Sequence, residues 1–202
     1  MLTLYAAPRT RSIRVAWLLE ELDVPYELEL GEFKPTSDQF FIQDTPTGKY
    51  PTIEHDGLVL MESGAIIEYL TELFPNNLMP PAGSQQKAVT LQWLHYADAT
   101  AFAPLGIVVW LSQYRSDGDK HPELIEDARN RVITGLKPIE DQLTSNPWIT
   151  GPNFSAADIM LGFTVIAASS FGLIEDDSAT SRYITRIQER PGFQTALSKI
   201  GI

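Results

Sequence analysis

A chain of 202 residues, 44% of them hydrophobic, is long enough to bury one large core or two small ones without metal or covalent staples. The absence of cysteine excludes disulfides, thiolate metal clusters and a cysteine nucleophile, and it fits a reducing compartment. A formal charge of −11, from 26 acidic and 15 basic residues, argues against phosphate-backbone binding, so nucleic acid is not expected as a partner.

The N-terminus lacks the basic, then apolar, then small-residue order of a signal peptide. Nor does any later segment approach about eighteen uninterrupted apolar residues. The expectation is a cytoplasmic protein with no membrane partner. Residues 2–5 are an apolar run of strand length, and residues 11–22 carry Ile13, Ala16 and Trp17 with Val15, Leu18, Leu19 and Leu22 at helical spacing. This predicts a strand followed by a helix with a broad buried face. Val24-Pro25 breaks the helix, and Tyr26, Leu28 and Leu30 alternate with Glu27 and Glu29 as a second strand. Residues 31–50 hold Pro35, Pro46 and Gly48, and they read as an irregular segment with one short helix around 37–42. Residues 52–55 and 58–61 flank Asp56-Gly57, a dipeptide that suits a tight hairpin. From Ser63 onward, Ile66, Ile67, Leu70, Leu73 and Phe74 return to helical spacing, and Pro75 ends the run.

The order β-α-β-α-β-β-α therefore fills residues 1–80, an α+β domain. Beyond a short linker the pattern becomes wholly helical, with helices near 85–114, 121–143, 155–169 and 178–189, so residues 85–202 are expected to be an all-α bundle. Pro104 and Pro138 should kink or divide two of these helices. The final PGFQTALSKI reads as a short turn.

Three strings stand out, two for chemistry and one for folding. In TPTGKYPTI, Pro51 stands just before a strand, where it cannot donate a ladder hydrogen bond. A cis Tyr50-Pro51 bond would turn the backbone N–H and C=O of Tyr50 outward, ready to pair with a bound peptide; the alternative is an ordinary trans turn. In ESGAIIEYL, Ser63 opens a helix and Glu62 precedes it. Free N–H groups and the helix dipole make that position an anion site, so the pair suits the α-carboxylate and α-ammonium of a γ-glutamyl head. The alternative is that Ser63 caps the helix and Glu62 complements its dipole. In GPNFSAADI, Ser155 and Asp158 have capping-box spacing and read as folding signals. His55, His95 and His121 show no metal-ligand spacing, so no metal is expected.

Taken together and in order, these strings resemble the glutathione transferase family along nearly the whole chain. TPTGKYP resembles its Gly-x-x-Pro segment with a cis proline, ESGAII its γ-glutamyl site, and GPNFSAADI its helical-domain capping box. LYAAPRTRSIRVAWLLEEL resembles the first strand, active-site loop and first helix. The resemblance implies a thioredoxin-like glutathione-binding domain, then a helical domain carrying a hydrophobic pocket for a small apolar electrophile, and a homodimer. GEFK resembles a segment of plant-type members, which makes Lys34, together with Lys49, a candidate binder of the glycine carboxylate; both also fit as solvated surface lysines. Asp98 resembles an interface aspartate of some classes, but it reads first as a solvated helix charge. Members that use an active-site cysteine, and the serine-serine-cysteine loop of maleylacetoacetate isomerases, are not matched.

The chemistry this implies is activation of a borrowed thiol. A free thiol of pKa about 8.5 is only slightly ionised at neutral pH, and the thiolate is the nucleophile. A hydroxyl donor beside a helix N-terminus favours the charged form. Three candidates lie in or beside the first loop: Thr10, then Ser12, which also suits a capping role, then Tyr5, which ends a strand. Counting back from Arg14 selects Thr10, as in serine-type relatives; counting forward from the strand selects Tyr5, as in tyrosine-type ones. Conjugation, glutathione-dependent peroxide or disulfide reduction, and a non-catalytic binding module all remain compatible with these residues.

Overall fold

The computed structural model describes residues 1–32 and 45–201. Lys34 and the short helix expected around 37–42 lie outside the described residues. Strand β1 (Leu2–Ala6), helix α1 (Ser12–Glu21), strands β2 (Glu27–Leu30), β3 (Thr52–His55) and β4 (Leu58–Met61) and helix α2 (Ser63–Leu73) follow in chain order. The sheet runs β2-β1-β3-β4, with β1 parallel to β2 and antiparallel to β3. Alternation along β1 sends Leu2, Leu4 and Ala6 into the core with Ile53 of β3 and Ile66, Ile67 and Leu70 of α2. At the β3–β4 hairpin Asp56 and Gly57 both take left-handed φ, 49° and 86°, as a two-residue turn between right-twisted strands requires.

A helical run passes from α3 (Gln85–Tyr96) through π-helical turns at Ala97–Phe102 into α4 (Ala103–Val109) and ends in π-helical turns at Trp110–Tyr114. Pro104 does not break it. The proline falls in the first turn of α4, and the widened turns before it absorb the missing N–H. By length and composition alone this run could cross a membrane; its buried Leu94, Leu105 and Val108 are accounted for by packing against α5 (Pro122–Ser145) and α6 (Ala156–Ser170). Nor does Pro138 divide α5: it sits on the exposed face, where water can satisfy the Thr134 carbonyl that the ring cannot bond. Helix α7 (Ala179–Gln188) follows. The Ser155–Asp158 capping box is present at the start of α6.

The C-terminal segment departs from expectation. Residues read as a turn form helix α8 (Pro191–Ile200), in which Pro191 presets the first turn and Phe193, Ala196 and Ile200 are buried. The chain divides into two compact units, Met1–Met79 with Gln188–Ile202, and Pro80–Ile187. Helix α8 thus belongs with the sheet, α1 and α2, not with the helices that run from α3 to α7. Its Phe193 ring packs edge-on to Trp17 of α1 at 4.9 Å. Arg190 reaches Glu21 with two bonds of 2.8 and 2.6 Å, and Trp17 Nε1 donates to the same carboxylate at 2.8 Å.

Candidate functional site

Within the sheet-bearing unit, a cleft is lined by Arg11, Lys49, Tyr50, Pro51, Glu62 and Ser63. Three chain segments meet there because the sheet order puts the start of β3 beside the end of β1, and β4 delivers the chain straight into α2. The Tyr50-Pro51 bond is cis. The Tyr50 ring is buried and lies so close over Gly31 that a Cβ there would fall 1.8 Å from its hydroxyl.

Ser63 does not cap α2, whereas Glu62 keeps the place beside the helix dipole that the capping alternative gave it. Glu62 occupies the N-cap position of α2 with φ 70° and makes no capping hydrogen bond through its side chain. A non-glycine residue at positive φ stores strain, and such positions cluster at ligand clamps. Ser63, only 2% exposed, accepts a hydrogen bond from Arg14 Nη1 at 3.0 Å in place of any helix N–H. The exposed carboxylate and the buried hydroxyl therefore stand side by side at a positive helix end, with the cations Arg11 and Lys49 in the same cleft. This charge pattern suits a zwitterionic ligand with an additional carboxylate.

The three hydroxyl candidates are placed differently. Thr10 is half-buried just before α1, and its Oγ1 donates to the Ala7 carbonyl at 2.7 Å. It also sits 2.8 Å from Ser12 Oγ and accepts the Ser12 N–H at 3.2 Å. Because Thr10 spends its one proton on Ala7, Ser12 is the donor between the two hydroxyls. Ser12 is fully buried, and its oxygen accepts the Ala7 N–H at 3.2 Å. It does not cap α1, whose N-cap position Arg11 makes no side-chain cap bond. Tyr5 points its hydroxyl at the Glu54 carboxylate of β3, 3.2 Å away.

Two residues of this region had no site role in the sequence reading. Arg11 lines the cleft. Arg14 served only to set the register of the loop, yet it is buried and bonded to Ser63. The available signal was a charged residue in a helix whose neighbours Ile13, Val15 and Ala16 are apolar. His55, given no chemistry, bonds the Tyr69 hydroxyl through Nδ1 at 2.8 Å.

Comparison with known proteins adds to this geometry. The family models for the "Glutathione S-transferase, N-terminal domain" and the "Glutathione S-transferase, C-terminal domain" match residues 1–72 and 122–184. The chain is 25% identical to Glutathione S-transferase 3 of Schizosaccharomyces pombe, over 99% of this chain and 88% of that protein. It is 30% identical to the Disulfide-bond oxidoreductase YfcG of Escherichia coli, over 98% of this chain and 95% of that one. A crystal structure of a glutathione transferase from Methylococcus capsulatus superposes with a TM-score of 0.84 at 26% identity, covering 100% of this chain and 99% of that chain.

Proposed function

The chain belongs to the glutathione S-transferase family, and from that premise we propose how its own residues carry out the enzyme's glutathione chemistry. The tripeptide lies in the cleft of the sheet-bearing unit. Its γ-glutamyl α-carboxylate takes the Ser63 hydroxyl and the first N–H groups of α2, and its α-ammonium pairs with Glu62. The cysteinyl backbone pairs with that of Tyr50 at Pro51, and the glycine carboxylate meets Lys49 and Lys34. The observation that carries this reading is that Glu62 and Ser63 line the cleft without capping α2.

Thiol activation falls to Thr10, with Ser12 and Tyr5 as the other candidates. To donate to a thiolate, the Thr10 hydroxyl exchanges its bond to the Ala7 carbonyl for one to sulfur, while Ser12 goes on donating to Thr10. The thiol proton leaves to solvent, and the thiolate attacks a small apolar electrophile in a detoxifying conjugation, forming a sulfur–carbon bond as a leaving group departs with its electron pair or as a double bond opens and takes a proton from water. Glutathione is the co-substrate. Similarity to a disulfide-bond oxidoreductase supports a second reading, in which the same thiolate attacks a disulfide and expels one of its sulfurs as thiolate, or attacks a peroxide and releases an alcohol, a second glutathione then carrying the oxidised sulfur to glutathione disulfide.

A homodimer in the cytoplasm completes the proposal. It is supported by the cysteine-free composition and by exposed apolar side chains: Leu58, Val59 and Met61 on edge strand β4, and Trp110 and Ile133 in the helical unit. Calorimetry with glutathione tests the cleft. Glu62→Ala and Ser63→Ala should each weaken binding by about 1.5–3 kcal/mol, the worth of hydrogen bonds to charged groups, and unchanged affinity in both would reject it. Thiolate absorbance of bound glutathione against pH tests the hydroxyl. The bound-thiol pKa should rise in Thr10→Val; a rise confined to Tyr5→Phe would transfer the role to Tyr5.

A further inference from the structure

Arg14 has a relation to the cleft that the roles above do not use. Its side chain is fully buried, and it crosses from α1 to the first residue of α2, where Nη1 donates to Ser63 Oγ at 3.0 Å. Taking a guanidinium out of water is costly unless its donors are employed, so a buried arginine at this place calls for a purpose.

A serine hydroxyl has one proton and two lone pairs. The lone pair facing Arg14 is committed to a charge-assisted bond, which turns the Ser63 proton away from α1. Among the described residues, Ser63 donates no hydrogen bond of its own. The proton is thus left for something in the cleft that Ser63 lines, at the positive end of α2. A cation on the far side of the oxygen also polarises the O–H toward an anionic acceptor.

We propose that Arg14 is a positioning residue for the α-carboxylate of the γ-glutamyl group: it does not touch the ligand, but it holds Ser63 Oγ so that the hydroxyl proton faces that carboxylate. This rests on the glutathione reading of the cleft. Its distinctive consequence is selectivity. Arg14 should matter to a ligand that has the α-carboxylate and be indifferent to one that lacks it.

The experiment is calorimetry with glutathione and with 4-aminobutyryl-cysteinyl-glycine, which lacks only that carboxylate, on the full chain carrying Arg14→Met, Ser63→Ala or both. Arg14→Met should raise the Kd for glutathione about tenfold and change the Kd for the analogue less than about twofold. In the Ser63→Ala background, adding Arg14→Met should change the glutathione Kd less than about twofold. If Arg14→Met does not fold, as judged by far-UV dichroism, Arg14→Lys carries the test. It keeps the cation and the aliphatic stem but loses the planar fork, and it should show the same selective loss at about threefold. Equal weakening for both ligands, or an undiminished effect in the Ser63→Ala background, would overturn the role of Arg14 while leaving the glutathione site intact. Binding of neither ligand by the unaltered chain would overturn the glutathione reading and this inference with it.

Discussion

Asp158→Ala should cost far more than the loss of a helix cap. The Asp158 carboxylate is fully buried and accepts from four donors at 2.8 Å: Ser155 N–H, Ser155 Oγ, Ile149 N–H and the Tyr183 hydroxyl. Capping-box spacing alone accounts for the Ser155 contacts, worth about 1 kcal/mol. Alanine would also strand the Ile149 N–H and the Tyr183 hydroxyl, whose residues are both completely buried. Each buried donor left without an acceptor costs about 1–3 kcal/mol, and water entering the vacated space recovers part of it. The expected loss is about 3–5 kcal/mol in urea unfolding followed by far-UV dichroism. Tyr183→Phe alone should cost about 1.5 kcal/mol, yet little when added to Asp158→Ala, because it then removes a stranded hydroxyl. A loss of about 1 kcal/mol for Asp158→Ala, or simple additivity of the two substitutions, would refute the reasoning.

Two further outcomes are expected. Gly31→Ala forces a methyl group into the buried Tyr50 ring; overpacking of this kind costs about 1–3 kcal/mol, and by pushing Tyr50 aside it should weaken glutathione binding several-fold by calorimetry, with an unchanged Kd counting against the placement of Tyr50 in the site. Glu140 of α5 caps α7 by accepting from Ala179 N–H, Thr180 N–H and Thr180 Oγ1 at 2.8, 2.8 and 2.7 Å. Burial pushes its carboxyl up, but the bonds from Thr180 and Ala179 and the charge of Arg182 outweigh it and hold the pKa below its ordinary 4.5. A carboxyl with a lowered folded-state pKa contributes stability that is present above the ordinary value and lost as pH falls through the folded one. Glu140→Gln should therefore lower stability by about 1–2 kcal/mol at neutral pH and flatten the decline below it; parallel acid limbs in a pH series of urea midpoints would contradict this.

Much of the cleft's lining was legible because the strings that form it are local. Tyr50-Pro51 and Glu62-Ser63 each sit at an element boundary readable from a few neighbours: a proline ahead of a strand, and a serine opening an apolar-periodic run. The hydroxyl network was less accessible. Which proton Thr10 can give away depends on the Ala7 carbonyl and on the fully buried Ser12, and residue spacing says nothing about either. The same holds for the Tyr5 hydroxyl, whose partner Glu54 comes from another strand.

By itself the sequence determined the strand and helix order, the Asp56-Gly57 hairpin, the opening of α2 at Ser63 and the Ser155–Asp158 box, since periodicity, turn residues and caps act over a few positions. Only the tertiary structure decided that residues 191–200 form a helix packed on α1, that Pro104 and Pro138 leave their helical runs undivided, and that Arg14 bonds Ser63. The reason is range. Phe193 gains its burial from Trp17, and Arg190 its partner from Glu21, across more than half of the chain, and a ten-residue segment with weak local preference adopts whatever conformation buries its apolar face best.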